Sequence, residues 1–397
     1  MMINVIGGTY REIDYDDVSM EIFGSGFRAA KFLLENKSKV NFVTSGNGET
    51  NQFIMDNQKV YPQLKFKCHT HKELIAFQYS FALDEPLIFP SPLKISKTKD
   101  WKFNGDCIIA FGMLESNFRV NAKRIVYDPQ TSINPRKFSE IGETEELVYI
   151  INQNEAHSIA SSENLEDIKS CFFEEEKASA FIVKNGPYGA TLYTETEEYS
   201  IPCYITENVH KIGSGDIFTA SFGYYWMVKK YSLKESALLA SKSTAYYCDK
   251  KVYIDCSKDS EFKYKEYKPN NLSEKQVYLA SPFFALSELI LVDKIRNALL
   301  SFGVKVFSPF HDIGFGEAIS VAKKDLDGIN NSDIVFMVLD NLDSGTLIES
   351  GFSMANDKTI IGYHRTCDEN DLLMLEPSNF NSYNNLTTAL YHTIWSL

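Results

Sequence analysis

Two stretches of this sequence combine residue types that could do chemistry. The first is Asp343-Ser344-Gly345-Thr346-Leu347-Ile348-Glu349-Ser350-Gly351, which follows an apolar run, Asp333 to Asp340, that reads as a buried strand. A Gly-Thr turn then opens a helical pattern and puts Glu349 in its first turn. Helix N-terminal N–H groups and the helix dipole favour negative charge, so the position suits a carboxylate that must stay ionised. The plainer alternative is that Asp343 or Ser344 caps the helix and Glu349 is solvated. The second stretch is Ile212-Gly213-Ser214-Gly215-Asp216-Ile217-Phe218. Its small residues expose backbone N–H groups at a helix N-terminus, a cradle for an anion. Asp216 would sit beside a transferring phosphoryl group and could accept the proton of an attacking hydroxyl. A simple helix cap is again the alternative.

The elements around the first stretch bring other residues into play. Val277 to Phe284 reads as a short strand ending at Ser281-Pro282, and Lys324 to Asp333 as the end of a helix feeding the next strand. In a parallel α/β layer the C-terminal strand ends gather on one edge and build the ligand crevice. Tyr278, Asp325, Asp343 and Glu349 are therefore expected to converge. Over roughly Val277 to Gly362 the chain resembles the nucleoside 2-deoxyribosyltransferase family, through Tyr278-Leu279-Ala280-Ser281-Pro282-Phe283, Asp325-Leu326-Asp327-Gly328-Ile329 and the Asp343–Gly351 run. The resemblance implies that Glu349 is the nucleophile at C1′ of a nucleoside, forming a glycosyl-enzyme intermediate. It implies that Asp343 contacts and helps protonate the departing base, that Asp325 positions the sugar, and that Tyr278 orients the nucleophile. The physical logic agrees, because N-glycosidic cleavage needs an ionised carboxylate against oxocarbenium charge and a proton source for the base. Ser281, Pro282 and Phe283 are candidate substrate contacts, and His311, after Ser308-Pro309-Phe310, is either a substrate contact or part of a loop. The family implies no cofactor for this part, and a homo-oligomer. Many members place an Asn before Leu-Met, used by a neighbouring subunit to bind the sugar 5′-hydroxyl. Here the run is Asn370-Asp371-Leu372-Leu373-Met374, which leaves the 5′-side specificity open.

Residues 3–250 resemble the PfkB, or ribokinase-like, family of sugar and nucleoside kinases. The segments that carry this are Val126-Tyr127-Asp128-Pro129-Gln130, Ile151 to Ala156, Phe181 to Ala190 and then the anion cradle, in that order. The resemblance implies an ATP and Mg2+ site in which Gly213, Ser214 and Gly215 form the anion hole and Asp216 is the catalytic base. Asn152 and Glu155 would belong to the magnesium and phosphate network, the metal being held indirectly. Gly186 and Gly189 would lie on the nucleotide side, and Gly24, Ser25 and Gly26 near the phosphoryl acceptor. Two departures matter. His210-Lys211-Ile212 stands where the family has Asp-Thr-Thr or similar, and Gly7 to Glu12 lacks the aspartate that grips sugar hydroxyls, for which Glu12, Asp14 or Asp16 could substitute. These departures keep open a nucleotide-binding module without phosphoryl transfer.

Composition bounds these readings. The 397 residues exceed one typical domain, and a hydrophobic content of 44% supplies two cores. A formal net charge of −13 argues against general nucleic-acid binding, which needs a basic face. The partners expected are nucleosides or nucleotides and sugars. Seven scattered cysteines, with no metal-type pairing, suit free thiols in a reducing cytoplasm. Cys68-His69-Thr70-His71 reads as alternation on a strand in preference to a metal site. Neither a signal peptide nor an apolar run of membrane-spanning length is legible.

The expected organisation is α/β throughout: a ribokinase-like domain over 1–256, a charged linker over 257–276 and a flavodoxin-like or Rossmann-like parallel-sheet domain over 277–397. In the last part strands are expected at 277–281, 304–307, 333–340 and 359–364, and helices at 286–301, 317–330, 347–356 and about 386–396. A helix at the end exposing Leu390, Ile394, Trp395 and Leu397 must bury them on its own sheet, on the other domain or on a second subunit. The sequence thus reads as a bifunctional nucleoside-metabolism enzyme, with a glycosyl transferase or hydrolase joined to a kinase-like domain. The alternatives are a nucleotide sensor with an inactive kinase-like part, and a nucleotide-degrading N-glycosidase effector.

Overall fold

The computed structural model describes residues 2–131, 133–314, 318–376 and 378–397. The chain divides into two compact units, Met1–Ser80 with Glu85–Tyr267 (unit 1) and Phe81–Asp84 with Lys268–Leu397 (unit 2). The strands of unit 1 begin with β1 (Met2–Ile6), β2 (Arg11–Asp14), β3 (Ser19–Ile22), β4 (Lys39–Gly46), β5 (Leu64–Thr70), β6 (Ala76–Tyr79) and β7 (Leu87–Phe89). They continue with β8 (Trp101–Phe111), β9 (Phe118–Asp128), β10 (Gly142–Asn152), β11 (Ala180–Lys184), β12 (Ala190–Tyr193), β13 (Glu198–Ile201), β14 (Tyr204–Ile205) and β15 (Lys265–Glu266). Nine of them form one sheet in the order β13-β12-β11-β10-β9-β8-β1-β4-β5, parallel from β11 to β5 and antiparallel at β12 and β13. A separate small sheet has the order β3-β2-β6-β7. Strand order reverses at β1, so the crevice of this unit opens at the C-terminal ends of β1 and β8.

One connection departs from ordinary α/β winding. β8 and β9 are 11 residues each and pair in parallel throughout, Trp101 opposite Phe118 and Phe111 opposite Asp128, with only 112–117 between them. A straight strand of that length spans roughly 35 Å, while the loop reaches about 25 Å at most. The strands must therefore bend, each doubling back on itself. Trp101 Nε1 donates to Ser116 Oγ at 3.4 Å, which ties the loop to the start of β8.

The charged segment 257–276 is shared between the units. β15 pairs with β14, Phe262 packs edge-on to Tyr204, and Tyr264 Oη donates to Asp249 Oδ2 at 2.8 Å. Its aromatic residues anchor the first part to unit 1, and residues from Lys268 onward belong to unit 2.

Unit 2 contains β16 (Gln276–Ala280), β17 (Lys305–Phe307), β18 (Ile334–Val338), β19 (Thr359–Tyr363) and β20 (Phe380–Tyr383), all parallel in the order β17-β16-β18-β19-β20. This is the doubly wound flavodoxin-like order, whose switch point lies between β16 and β18. Successive residues of β16 and β18 are buried, as in a sheet covered on both faces. The helices are Leu286–Ser301, Ala318–Asn331, Ser344–Ala355 and Leu386–Trp395, with a short one at Pro309–Asp312. Glu317, the first residue expected in the second of these, lies outside the described residues. Helix Ser344–Ala355 starts three residues before the expected 347, because Asp343 caps it. A Cβ at Gly328 would lie 2.5 Å from the Phe307 ring, so glycine there lets helix Ala318–Asn331 close down on the sheet. The last helix packs on β19 and β20, with Leu390 and Ile394 fully buried.

Candidate functional site

In unit 2, Tyr278 and Ala280 share the face of β16 that helices Ala318–Asn331 and Ser344–Ala355 cover. Tyr278 lies under them, fully buried and stacked on Phe307 with centroids 5.7 Å apart. Its Oη donates to Glu349 Oε1 at 2.7 Å. Glu349 shares the inward side of its helix with buried Thr346 and Ser353 and is itself half-buried. Asp325 stands on the other covering helix, one turn before Gly328, and its Oδ1 is buried with no hydrogen-bond partner among the described residues. Tyr278, Asp325 and Glu349 thus meet at the switch point, as their places on one sheet face require.

Burial pushes the Glu349 carboxyl up to about 7; the Tyr278 hydrogen bond pulls it down, while the charges of Asp325 and Asp343 push it further up. Burial also raises Asp325, and burial together with Glu349 raises the Tyr278 phenol. The expectation that the helix start keeps Glu349 ionised is therefore corrected. Glu349 is the sixth residue of its helix, in the second turn, and the terminal field falls off within the first.

Asp343 is the residue at the helix start. Its Oδ2 accepts from Thr346 N at 3.0 Å, so capping is its visible work. It is presented by a backbone with two consecutive left-handed residues, Asn341 (φ 64°) and Leu342 (φ 46°), a conformation costly for side-chain-bearing residues and common where a loop is held for function. Ser281 Oγ donates to Pro282 O at 3.0 Å, and Phe283 packs against Phe310. His311 is exposed and bonded to Asp293 Oδ1 (2.8 Å) and Ser308 Oγ (3.1 Å), contacts that fix the loop. Asn370 donates from N and Nδ2 to Asp368 Oδ1, closing a local turn.

In unit 1, β9 ends at Asp128, β10 at Asn152 and β11 at Lys184, on one edge of the sheet. Lys184 Nζ donates to Asp128 Oδ2 at 2.9 Å, and Thr219 Oγ1 donates to the same oxygen at 3.0 Å. Gly213 caps helix Ser214–Gly223 with φ 80°, and a Cβ there would lie 2.2 Å from Arg28 Nε, so both backbone and space demand glycine. At Gly215 a Cβ would sit 3.4 Å from Lys184 Nζ, the space between ammonium and helix end being left clear. Lys211 Nζ donates to Ser214 Oγ at 3.0 Å, and burial holds it below the usual lysine range. Two ammonium groups beside a helix N-terminus fit a phosphate group.

Asp216 is buried, and burial pushes its carboxyl up to about 6 against the pull of Arg28. Its Oδ2 accepts from Arg28 Nη1 at 2.7 Å and its Oδ1 faces Gln130 Nε2 at 3.4 Å. Arg28 is also ion-paired to Glu12, whose Oε1 accepts from Gly24 N at 3.1 Å. The Gly24-Ser25-Gly26 helix start is in this way brought to Asp216. Asn152 and Glu155 form a capping box, Asn152 Oδ1 accepting from Glu155 N and Glu155 Oε2 accepting from Asn152 N. Burial and Asp128 push Glu155 up to about 7. With those bonds made inside the protein, the pair fits a magnesium ion through water and not by direct ligation. Gly186 and Gly189 shape the turn from β11 to β12, where Asn185 N donates to Gly189 O at 2.8 Å. His69 stacks on Trp101 and His71 sits against the carbonyls of Glu73 and Ser96. Among the described residues no group of three His, Cys, Asp or Glu is placed to hold a metal.

Sequence reasoning missed Arg28 and the parts played by Lys184 and Lys211. The signal for Arg28 was present: an arginine in Phe27-Arg28-Ala29-Ala30, on the buried side of an amphipathic helix, needs a carboxylate partner.

Two family models match parts of the chain. Residues 120–259 match the family model of the pfkB family carbohydrate kinases, and residues 277–386 that of nucleoside 2-deoxyribosyltransferase. The chain thus joins a part similar to pfkB kinases to a part similar to nucleoside 2-deoxyribosyltransferases, with a ribokinase-like α/β sheet followed by a Rossmann-like parallel one. No curated protein matches the chain. Similar solved structures include ribokinase from Thermotoga maritima (15% identity over 62% of this chain and 93% of that one, TM-score 0.46). They also include fructokinase from Vibrio cholerae O395 with fructose, ADP and calcium bound (11% identity, 63% and 94% covered, TM-score 0.45). A third is phosphofructokinase-2 from Escherichia coli with substrates and products (12% identity, 62% and 93% covered, TM-score 0.44). Among the described residues no helix is long and apolar enough to cross a membrane.

Proposed function

We propose that this chain is a two-part enzyme of nucleoside, nucleotide or sugar metabolism whose unit 2 breaks an N-glycosidic bond. The observation that carries this reading is the Tyr278 Oη–Glu349 Oε1 pair, 2.7 Å apart at the switch point, near an Asp325 oxygen with no partner among the described residues. Asp325 Oδ1 is an acceptor waiting for a donor, and a sugar hydroxyl supplies one. Glu349 attacks C1′ in its ionised form, so a Glu349–C1′ bond forms as the C1′–N bond breaks, and the leaving base takes a proton from solvent water with the help of Asp343. Tyr278 fixes the attacking oxygen. Water at C1′ then makes the enzyme a hydrolase, and a second base makes it a 2-deoxyribosyltransferase. No cofactor is needed in this unit.

Unit 1 on this reading is the phosphate-binding partner, taking ATP at Gly213–Gly215 with Mg2+ in water-mediated reach of Asn152 and Glu155. As a sugar or nucleoside kinase it would use Asp216 as base. As a sensor it would bind the nucleotide and not transfer, and the Arg28–Asp216 bond favours that second reading. The cytoplasm is the compartment that fits small-molecule substrates of this kind.

The test is direct. Glu349→Ala, folded as judged by circular dichroism, is expected to lose base release from a panel of nucleosides and nucleotides, supplied with and without ATP. Full turnover by that variant would remove Glu349 from the chemistry.

A further inference from the structure

A hydroxyl that is to be phosphorylated must come within hydrogen-bond reach of the carboxylate that takes its proton. In unit 1 both oxygens of that carboxylate already have a partner, Oδ2 in Arg28 and Oδ1 in Gln130 at 3.4 Å. Arg28 Nη1 holds Asp216 Oδ2 at 2.7 Å, and the rest of the side chain lies along the helix start, where a Cβ at Gly213 would meet Nε at 2.2 Å and Cζ at 2.4 Å. Arg28 is 3% exposed. Its far side is ion-paired to Glu12 on β2, and its Nε is buried without a partner among the described residues, next to the anion cradle. A second clasp fixes the same small sheet: Asp17, in the turn between β2 and β3, pairs with His210 and Lys251, each at 3.1 Å. His210 belongs to the triplet that departs from the kinase pattern.

We propose that Arg28 stands where an acceptor hydroxyl would have to stand, so that unit 1 binds its phosphate ligand and does not pass the phosphoryl group on. A guanidinium cannot take the hydroxyl's place in the reaction. It stays protonated, so Asp216 cannot withdraw a proton from it, and it has no lone pair to attack phosphorus. It can hold a phosphate, and the unpartnered Nε is a donor for that purpose. Phosphate at Nε and Glu12 at the terminal nitrogens then hold one side chain, which couples the phosphate site to β2 and the small sheet. This inference rests on the phosphate-site reading of unit 1.

The experiment uses the full-length chain and Mg-ATP. Binding is followed by calorimetry, and ADP release is followed with and without a panel of sugars and nucleosides. The wild type is expected to bind Mg-ATP and to release ADP no faster when acceptors are added. Arg28→Ala leaves two carboxylates facing each other and can misfold, so the double variant Arg28→Ala with Glu12→Gln is compared too. In whichever of the two is folded and binds Mg-ATP, at least one acceptor is expected to raise ADP release tenfold or more. There the acceptor oxygen bonds to the terminal phosphorus, the bond to ADP breaks and the proton goes to Asp216, so adding Asp216→Asn abolishes the gain. Acceptor-dependent ADP release by the wild type overturns the proposal. So does a folded, Mg-ATP-binding double variant that no acceptor stimulates. Failure of the wild type to bind Mg-ATP removes the phosphate-site reading instead, and the inference with it.

Discussion

The Glu349 carboxyl sits near 7 because three things act on it in different directions: burial, two neighbouring carboxylates and one phenol. In the proposed role of nucleophile it works ionised, so kcat/KM for base release is expected to climb with pH through about 7 and level off above. A profile flat over roughly pH 5.5–8 would contradict the role. Tyr278→Phe removes the one hydrogen bond that lowers this carboxyl, and moves the rising limb to higher pH. Stability carries the opposite sign. The folded value, about 7, lies above the ordinary 4.5, so between these the folded state holds the proton longer and stability falls as pH rises. Glu349→Gln is expected to melt above the wild type at pH 8, and the gain to vanish below about pH 4.5, as thermal scans across that range will show.

At the scale of elements, the proposed chemistry meets the fold at Asp343, which caps helix Ser344–Ala355 and whose charge acts on Glu349. The two roles separate by substitution. Asparagine caps as well as aspartate, whereas alanine costs about 1 kcal/mol of helix stability. Asp343→Asn is expected to keep the melting temperature and lose base release, and Asp343→Ala to lose both. Equal activity of Asp343→Asn and wild type would leave Asp343 a cap alone. The order of strands and helices in unit 2 was legible because apolar runs, Gly328 and Ser281-Pro282 punctuate it. β20 was not, since Phe380-Asn381-Ser382-Tyr383 is short and half polar. The meeting of Tyr278, Asp325 and Glu349 could be foreseen from topology. The start of their helix could not, because Asp343-Ser344-Gly345 reads equally as turn or cap. In unit 1 the cradle was legible as a motif, while the Arg28–Asp216 bond joins residues 188 apart and has no local pattern.

For the whole molecule, an assembly of like chains is expected. The last helix spends Leu390 and Ile394 on its own sheet, while Trp395 is only partly buried. Other large apolar residues of unit 2 stay open: Met374 is 83% exposed, Phe284 77% and Ile348, next to Glu349, 70%. A second copy covering such residues fits their cost in water. Light scattering at micromolar concentration is expected to give at least a dimer, and a strict monomer that still cleaves nucleosides would defeat this. The doubled-back strands of unit 1 carry a consequence for how the chain reaches its native state. Parallel pairing ordinarily waits for a long crossover to close, which makes it slow. Trp101 and Phe118 are partners across a short loop, so β8 and β9 can find each other before any distant segment arrives. Amides of these two strands are expected to gain protection first in pulsed hydrogen exchange during refolding, ahead of β1 and β4, whose pairing must wait for helix Gly24–Glu35 to swing between them.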